Sequence, residues 1–155
     1  MALKGRVKID DRGRFLLPTD IFREVNAMAE GKYVVNRSTD RCVTLYPSNV
    51  WRIVESKLNK INVFDPKKRA LVRYFLGSAV EIEVDKKNRL LVPQDLREYA
   101  GIDKEMQIIK LNPFMELWNP EWYNKQMETT GSLSAEDISL IAEEIYKDGS
   151  EFDLP

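Results

Sequence analysis

The sequence predicts an α+β fold, mainly β, that consists of two tandem repeats and connecting helices. The first reason is that residues 9–21 align without a gap onto residues 84–96. Both segments carry an Asp, a basic residue four positions later, a Pro and a further Asp. The second reason is that Leu45-Tyr46 matches Leu117-Trp118, each after a strand-like stretch and before a turn containing proline. Because a repeat indicates one supersecondary unit used twice, both copies are expected to share one architecture.

Each repeat is expected to contain a strand, a charged turn, a second strand, a short helix and a strand pair ending in an aromatic residue. The first repeat is assigned to residues 4–50 and the second to residues 79–123. Residues 51–78 are assigned to a helical connector, and residues 124–155 to an acidic C-terminal tail with an amphipathic helix.

The helix of each repeat has recognisable ends. In the first repeat Pro18-Thr19-Asp20 begins a helix whose apolar face comprises Ile21, Val25 and Met28. In the second repeat Pro93-Gln94-Asp95 begins the equivalent helix, and Gly101 ends it.

The connector is expected to be a helical hairpin. Its first helix is indicated by apolar residues at helical spacing, namely Val50, Val54, Leu58 and Ile61. Its second helix is capped by Asp65-Pro66 and ended by Gly77.

The tail is expected to form a helix over residues 135–147. Ser134 and Asp137 have the spacing of a capping box. The apolar stripe comprises Ile138, Ile141 and Ile145, and the opposite face is acidic.

Composition excludes several classes of function. The 155 residues contain no histidine, which removes Ser-His-Asp and Cys-His triads and every histidine-ligated zinc site. The single cysteine, Cys42, excludes an internal disulfide, and its apolar strand context predicts a buried thiol. We therefore expect no catalysis, cofactor, metal or small-molecule substrate. No apolar run approaches the roughly 18 residues of a membrane span, so a cytoplasmic protein is expected.

The charge is unevenly distributed along the chain. The net charge is −1, but residues 132–155 contain seven acids and one lysine, so residues 1–131 are net positive. Within them, residues 1–14 carry five basic residues against two acids. A basic body of this kind is compatible with a nucleic-acid partner.

The charged turn of the first repeat is the principal candidate site. Gly13 supplies the positive φ of a tight turn, and Asp10 is placed to accept hydrogen bonds from nearby backbone N–H groups. Arg12 and Arg14 flank the glycine and are expected to point outward, each able to fork onto a phosphate or a guanine edge. Lys8 adds positive charge beside them.

The second repeat carries an equivalent turn. Asp85 takes the place of the first Asp, and Asn88 replaces the glycine as the best non-glycine residue for left-handed backbone. Lys87 and Arg89 take the two basic positions, and Lys86 adds a further charge. One basic turn alone is an ordinary solvated surface feature, but its duplication favours a pseudo-symmetric surface that binds double-stranded DNA.

At these residues the chain resembles the MraZ family of bacterial transcriptional regulators, which contain two tandem SpoVT-AbrB repeats. The resemblance covers most of residues 1–125, and it rests on the Asp-x-x-Gly-Arg turn followed by an apolar pair and a proline. It implies an AbrB-like swapped-hairpin fold in which the repeats form an interlocked barrel. It also implies a ring-like homo-oligomer, association with the nucleoid, and binding to direct repeats in promoters, including that of the chain's own division and cell-wall operon.

Three alternatives stay open. AbrB-like modules also serve as antitoxins, although a second full-length repeat argues against that role here. A metal-dependent hydrolase would use Asp10-Asp11 with Glu83 and Asp85, but these acids lie among basic residues without a recognised ligand spacing. A structural ring without DNA binding would use aromatic interface anchors, namely Trp51, Trp118, Trp122 and Tyr123.

Overall fold

The computed structural model describes residues 4–130, 136–137 and 139–141. The strands are β1 (Lys4–Lys8), β2 (Arg14–Phe15), β3 (Lys32–Arg37), β4 (Val43–Pro47), β5 (Val80–Glu83), β6 (Leu90–Leu91), β7 (Glu105–Lys110) and β8 (Met115–Trp118). The helices are α1 (Thr19–Ala29), α2 (Ser48–Asn59), α3 (Pro66–Gly77), α4 (Gln94–Ala100) and α5 (Pro120–Thr130). The chain divides into two compact units after Pro120. The expectation of an α+β fold is confirmed, but its description as mainly β is wrong, because the described helices contain more residues than the strands.

The two repeats exchange their first strands. The main sheet has six strands in the order β1-β7-β8-β4-β3-β5, and every pairing in it is antiparallel. Strand β1 of the first repeat therefore pairs with β7 of the second, while β5 of the second repeat pairs with β3 of the first. Neither repeat completes its sheet without the other.

An approximate twofold axis relates the repeats. At the centre of the sheet Thr44 lies opposite Glu116, and the flanking pairs Val43–Leu117 and Leu45–Met115 exchange places under the repeat correspondence. The same axis passes through the two-stranded ribbon formed by β2 and β6, where Phe15 lies opposite its counterpart Leu90. The duplication in the sequence thus becomes a symmetry of the structure.

The expected interlocked barrel is not confirmed. Strands β1 and β5 occupy opposite edges of the six-stranded sheet and do not pair with each other in the part of the chain that the structure describes. Within the described ranges, the short strands β2 and β6 pair with each other alone, in a separate ribbon. The interlocking consists of strand exchange within an open sheet.

One hydrophobic core serves both repeats. It joins α1, through Ile21 and Val25, to α4, through Leu96 and Ala100. Strand residues of both copies complete the core, among them Tyr33, Val35, Leu45, Met106, Ile108 and Leu117. Met28, predicted on the apolar face of α1, packs at the edge of this core and is partly buried. Since the core crosses the repeat boundary, the unit around it is expected to fold cooperatively.

Most predicted helix ends are confirmed. Helix α4 ends at Gly101, whose φ of 64° is left-handed, and α3 begins after Asp65. The Asp65 carboxylate accepts hydrogen bonds from the backbone N–H groups of Lys67 (2.9 Å) and Lys68 (3.2 Å). The connector helix α2, however, begins at Ser48 and ends at Asn59, so the predicted inclusion of Ile61 is wrong.

The second unit contains most of α5, a helix that the sequence analysis did not predict. Of the helix predicted over residues 135–147, residues 136–137 and 139–141 are described and are helical. The cap residue Ser134 and two members of the stripe, Ile138 and Ile145, lie outside the described residues, while Ile141 is about half exposed. No helix among the described residues is long and apolar enough to cross a membrane.

Candidate nucleic-acid interface

The first charged turn is held closed by Asp10. Its carboxylate accepts hydrogen bonds from the backbone N–H groups of Arg12 (3.0 Å) and Arg14 (2.9 Å), and from Nε of Arg14 (2.8 Å). The backbone N–H of Gly13 donates to the carbonyl oxygen of Asp10 (2.9 Å). The turn is therefore closed by contacts within five consecutive residues. Because these contacts are local, the conformation of the turn can be predicted from the sequence.

The second turn repeats this geometry around Asp85. The carboxylate accepts from the backbone N–H groups of Lys87 (2.8 Å) and Arg89 (2.8 Å), and from Nε of Arg89 (2.8 Å). Asn88 has a φ of 62°, and its N–H donates to the carbonyl oxygen of Asp85 (3.0 Å). Asparagine tolerates left-handed backbone, so replacing the glycine leaves the turn closed in the same way.

The two turns differ in what lies behind them. Gly13 has a φ of 91° and is buried, and a Cβ atom on it would lie 2.5 Å from the carbonyl oxygen of Val92 and 2.7 Å from Nε of Arg97. Asn88 occupies the equivalent position and is exposed. Only glycine fits the first turn, because the backbone of the second repeat approaches it closely.

The backbone hydrogen bonds lower the pKa of both turn acids. For Asp10 the largest cause is the N–H of Arg14, and for Asp85 it is the N–H of Arg89. Each carboxylate also forms an ion pair with the guanidinium of the same arginine. Both acids are thus held in the charged form that the turns require.

The structure corrects the expected orientation of two arginines. Arg14 and Arg89 are not free outward-pointing groups, since each is tied through Nε to its own turn acid and its side chain is 29% and 26% exposed, respectively. Their terminal guanidinium nitrogens make no hydrogen bond within the described residues. The other predicted contact residues are exposed and form no ion pair with any described acid, namely Lys8, Arg12, Lys86 and Lys87.

The ribbon of β2 and β6 sets the separation of the turns. Phe15 lies opposite Leu90, so Gly13 and Asn88 are four residues apart along the antiparallel ribbon. At about 3.3 Å per residue this places the two turns roughly 13 Å apart, one at each end. Arg14 of one repeat and Arg89 of the other line a common groove with a volume of about 640 Å³.

Two leucines on the same ribbon were not predicted as site residues. Leu16 is 52% exposed and Leu91 is 41% exposed, although their strand neighbours Phe15, Leu90 and Val92 are buried. In a strand, alternate side chains face outward, which would predict the exposure of these leucines. In an uninterrupted apolar run, however, the sequence does not indicate which of the two alternating sets faces outward.

A second arginine cluster also escaped the sequence analysis. The guanidinium carbons of Arg37 and Arg41 lie 4.9 and 4.5 Å from the ring centroid of Tyr99. The hydroxyl of Tyr99 lies 2.7 Å from that of Tyr74, which donates to the carbonyl oxygen of Ser38 (2.6 Å). Burial, together with the neighbouring tyrosine, raises the pKa of Tyr74 to about 12. These contacts hold the β3–β4 turn against α3 and α4.

The acids suggested for a hydrolase do not converge. Asp10 and Asp85 close turns at opposite ends of the ribbon, and Glu83 lies 4.0 Å from Lys32. Among the described residues no group of three or more acids, cysteines or histidines could hold a metal ion.

The tryptophans of the first unit pack internally. Trp51 is buried and stacks at a tilt on Tyr46, with ring centroids 5.1 Å apart. Trp118 is buried, and its Nε1 donates to Glu116 (3.0 Å). As two of the four suggested interface anchors, they are therefore core residues rather than an exposed surface.

Comparison with known proteins gives a consistent result. A family model described as "MraZ protein, putative antitoxin-like" matches residues 4–74 and again residues 75–141. A protein from Nitrosospira multiformis named transcriptional regulator MraZ is 35% identical over 123 residues, which cover 79% of this chain and 84% of that protein. Proteins of the same name from Thermomicrobium roseum and Caldicellulosiruptor saccharolyticus are each 36% identical, covering 85% and 88% of this chain and 88% and 92% of their own.

Fold and site together define a class of protein. In this class two repeats exchange strands and present two basic turns about an approximate twofold axis, and each turn is closed by an aspartate. The family within that class is identified by two findings. The family model matches the chain twice, and the relatives match it over most of its length. The chain belongs to the MraZ family.

Proposed function

We propose that this chain is a transcriptional regulator that binds double-stranded DNA sequence-specifically through its two basic turns. The relatives named as transcriptional regulators support the general role. The observation that carries the DNA contact is the pair of equivalent turns, each rigidly closed by an aspartate and each presenting exposed basic side chains.

The spacing of the turns suits a DNA duplex. The major groove is about 12 Å wide and admits a two-stranded β-ribbon. With the turns roughly 13 Å apart, the ribbon faces the groove and each turn meets a phosphate backbone at its edge. Arg12 and Lys87 are the exposed members at equivalent positions, while Arg14 and Arg89 contact DNA through their terminal nitrogens.

The chain assembles into a ring-like homo-oligomer in the cytoplasm, associates with the nucleoid, and binds direct repeats in the promoter of its own division and cell-wall operon. Several turns displayed on one ring raise the overall affinity through multivalency without any new contact. Mass photometry with and without a duplex carrying two or more repeats measures both the assembly and its stoichiometry on DNA.

A polarisation titration tests the DNA contact. The probes are a duplex from the region upstream of the gene and a scrambled duplex of equal composition, at two salt concentrations. The predicted contact residues are six in number, namely Lys8, Arg12, Arg14, Lys86, Lys87 and Arg89. If each neutralises one phosphate, the slope of log K against log salt concentration is about −5. The double variant Arg12→Ala/Lys87→Ala makes the slope less steep by about 2, whereas Arg73→Ala on an exposed face of α3 leaves it unchanged.

The outcome separates the alternatives. Salt-sensitive preference for the upstream duplex, reduced in the double variant alone, supports the regulator. Equal and negligible binding of both duplexes favours a structural ring. The antitoxin role, which the description of the family model names, requires in addition a protein partner that co-purifies in fixed stoichiometry with the full chain.

A further inference from the structure

The outward face of the β2–β6 ribbon has an unusual composition. Arg14 lies opposite Leu91. Extending this register by one residue beyond Phe15 and Leu90 places Leu16 opposite Arg89. The face therefore alternates arginine and leucine on both strands. The residues between them, Phe15 and Leu90, point into the core.

The two leucines are related by the approximate twofold axis and are both substantially exposed, at 52% for Leu16 and 41% for Leu91. Exposing large apolar side chains at equivalent positions of both repeats gives no benefit to folding, because their hydrophobic surface remains in water. A paired apolar feature of this kind indicates a binding surface.

The surrounding charge points to one kind of occupant. The ribbon is flanked by exposed basic side chains at both ends, from Lys8 and Arg12 and from Lys86 and Lys87. The principal turn acids, Asp10 and Asp85, are already engaged by backbone N–H groups and by their own arginines. A face of two leucines and two arginines between these basic ends complements a polyanion that exposes apolar groups between its charged edges.

In duplex DNA the apolar group of the major groove is the 5-methyl of thymine. We propose that Leu16 and Leu91 are specificity-determining residues that contact thymine methyl groups while the basic turns hold the flanking phosphates. This inference rests on the proposed DNA-binding function. It adds a direct contact with bases to contacts that otherwise serve mainly for positioning.

The ribbon geometry also sets the spacing of the thymines. Leu16 directly follows β2 and Leu91 ends β6, so extending the β2–β6 register by one residue makes them diagonal neighbours, about 7–8 Å apart. This distance corresponds to about two base-pair steps of 3.4 Å. Because the leucines are related by a twofold axis, the two thymines are expected on opposite strands.

Replacing thymine by deoxyuridine tests the contact, because it removes only the methyl group. The probe is a duplex selected from a random-sequence pool by the full-length protein and resynthesised with deoxyuridine at each thymine in turn. Loss of one buried methyl contact weakens binding about fourfold. We expect this loss of affinity at two thymine positions with the wild-type protein. Leu16→Ala removes the difference between thymine and deoxyuridine at one of these positions, and Leu91→Ala removes it at the other.

The control is Leu71→Ala, which truncates a leucine of similar exposure on α3 and leaves the discrimination unchanged. Thermal unfolding of each variant verifies that the fold is retained. If the wild-type protein selects no duplex, both the proposed function and this inference fail. If it selects a duplex but binds the deoxyuridine forms equally well, only the inference fails. Full discrimination in the Leu16→Ala/Leu91→Ala variant, with a change in assembly mass, would also overturn it by assigning the leucines to contact between copies.

Discussion

Replacing Gly13 with Asn installs in the first turn the residue that already occupies the equivalent position of the second. The backbone conformation by itself would predict a tolerated change, since Asn88 adopts a φ of 62° without opening its turn. The surroundings predict the opposite. A Cβ on Gly13 would lie 2.5 Å from the carbonyl oxygen of Val92, a separation that requires the β2–β6 ribbon to shift.

The magnitude follows from two contributions. Forcing extra atoms into a packed site costs about 1–3 kcal/mol. The shift also weakens the hydrogen bond from the N–H of Val92 to the carbonyl oxygen of Gly13 (2.8 Å), which contributes about 0.5–1.5 kcal/mol. Gly13→Asn is therefore expected to lower the free energy of unfolding by about 2–4 kcal/mol, and the melting temperature by roughly 4–16 °C for a chain of this size.

Asn88→Gly is the matched variant. It removes the left-handed strain of a non-glycine residue but adds flexibility to the unfolded chain, so its net effect is expected to stay within about 1 kcal/mol. Thermal unfolding followed by circular dichroism measures both variants. A Gly13→Asn protein that melts within 1 °C of the wild type, or an Asn88→Gly protein that loses as much stability, would refute the steric argument.

Three further predictions concern other parts of the chain. The lowered pKa of Asp10 and of Asp85 means that their contribution to stability is complete above about pH 3.8 and is lost as the pH falls through the lowered values. The free energy of unfolding is therefore expected to fall less steeply with acid in Asp10→Asn/Asp85→Asn. An unchanged pH profile would contradict the role of the carboxylates. Burial raises the pKa of the Cys42 thiol, so the native protein is expected to react with a thiol reagent only as fast as it opens, and rapid labelling would show that the thiol is accessible. Asp65→Ala removes the cap of α3 and is expected to cost about 0.5–2 kcal/mol in a denaturant titration, whereas Asp65→Ser retains most of that stability.

Local features of this protein were predictable because their stabilising contacts are local. The turn acids Asp10 and Asp85 accept bonds from residues two and four positions later, and Asp65 caps a helix that begins at the next residue. The left-handed backbone at Gly101 likewise depends on the helix immediately before it. Sequence spacing contains all of the information that such contacts need.

The orientation of site residues was less predictable. The sequence predicts that Arg14 points outward, but its Nε donates a hydrogen bond to Asp10. Sequence spacing does not indicate whether a guanidinium group contacts solvent or a neighbouring carboxylate. Leu16 belongs to the apolar pair that follows the turn, yet its side chain is 52% exposed. In a two-residue strand, the outward face is determined by the neighbouring strand rather than by a long alternation.

The sequence by itself determined the duplication, the two closed turns and the capped ends of α3 and α4, because each depends on hydrogen bonds and dihedral preferences within a few residues. Only the tertiary structure decided that β1 and β5 exchange partners, that the sheet stays open, and that Gly13 lies against Val92 and Arg97. These features join residues about 50 to 100 positions apart. Their stability comes from pairing and burial between the repeats, and two copies of similar sequence offer each strand two similar partners until packing selects one.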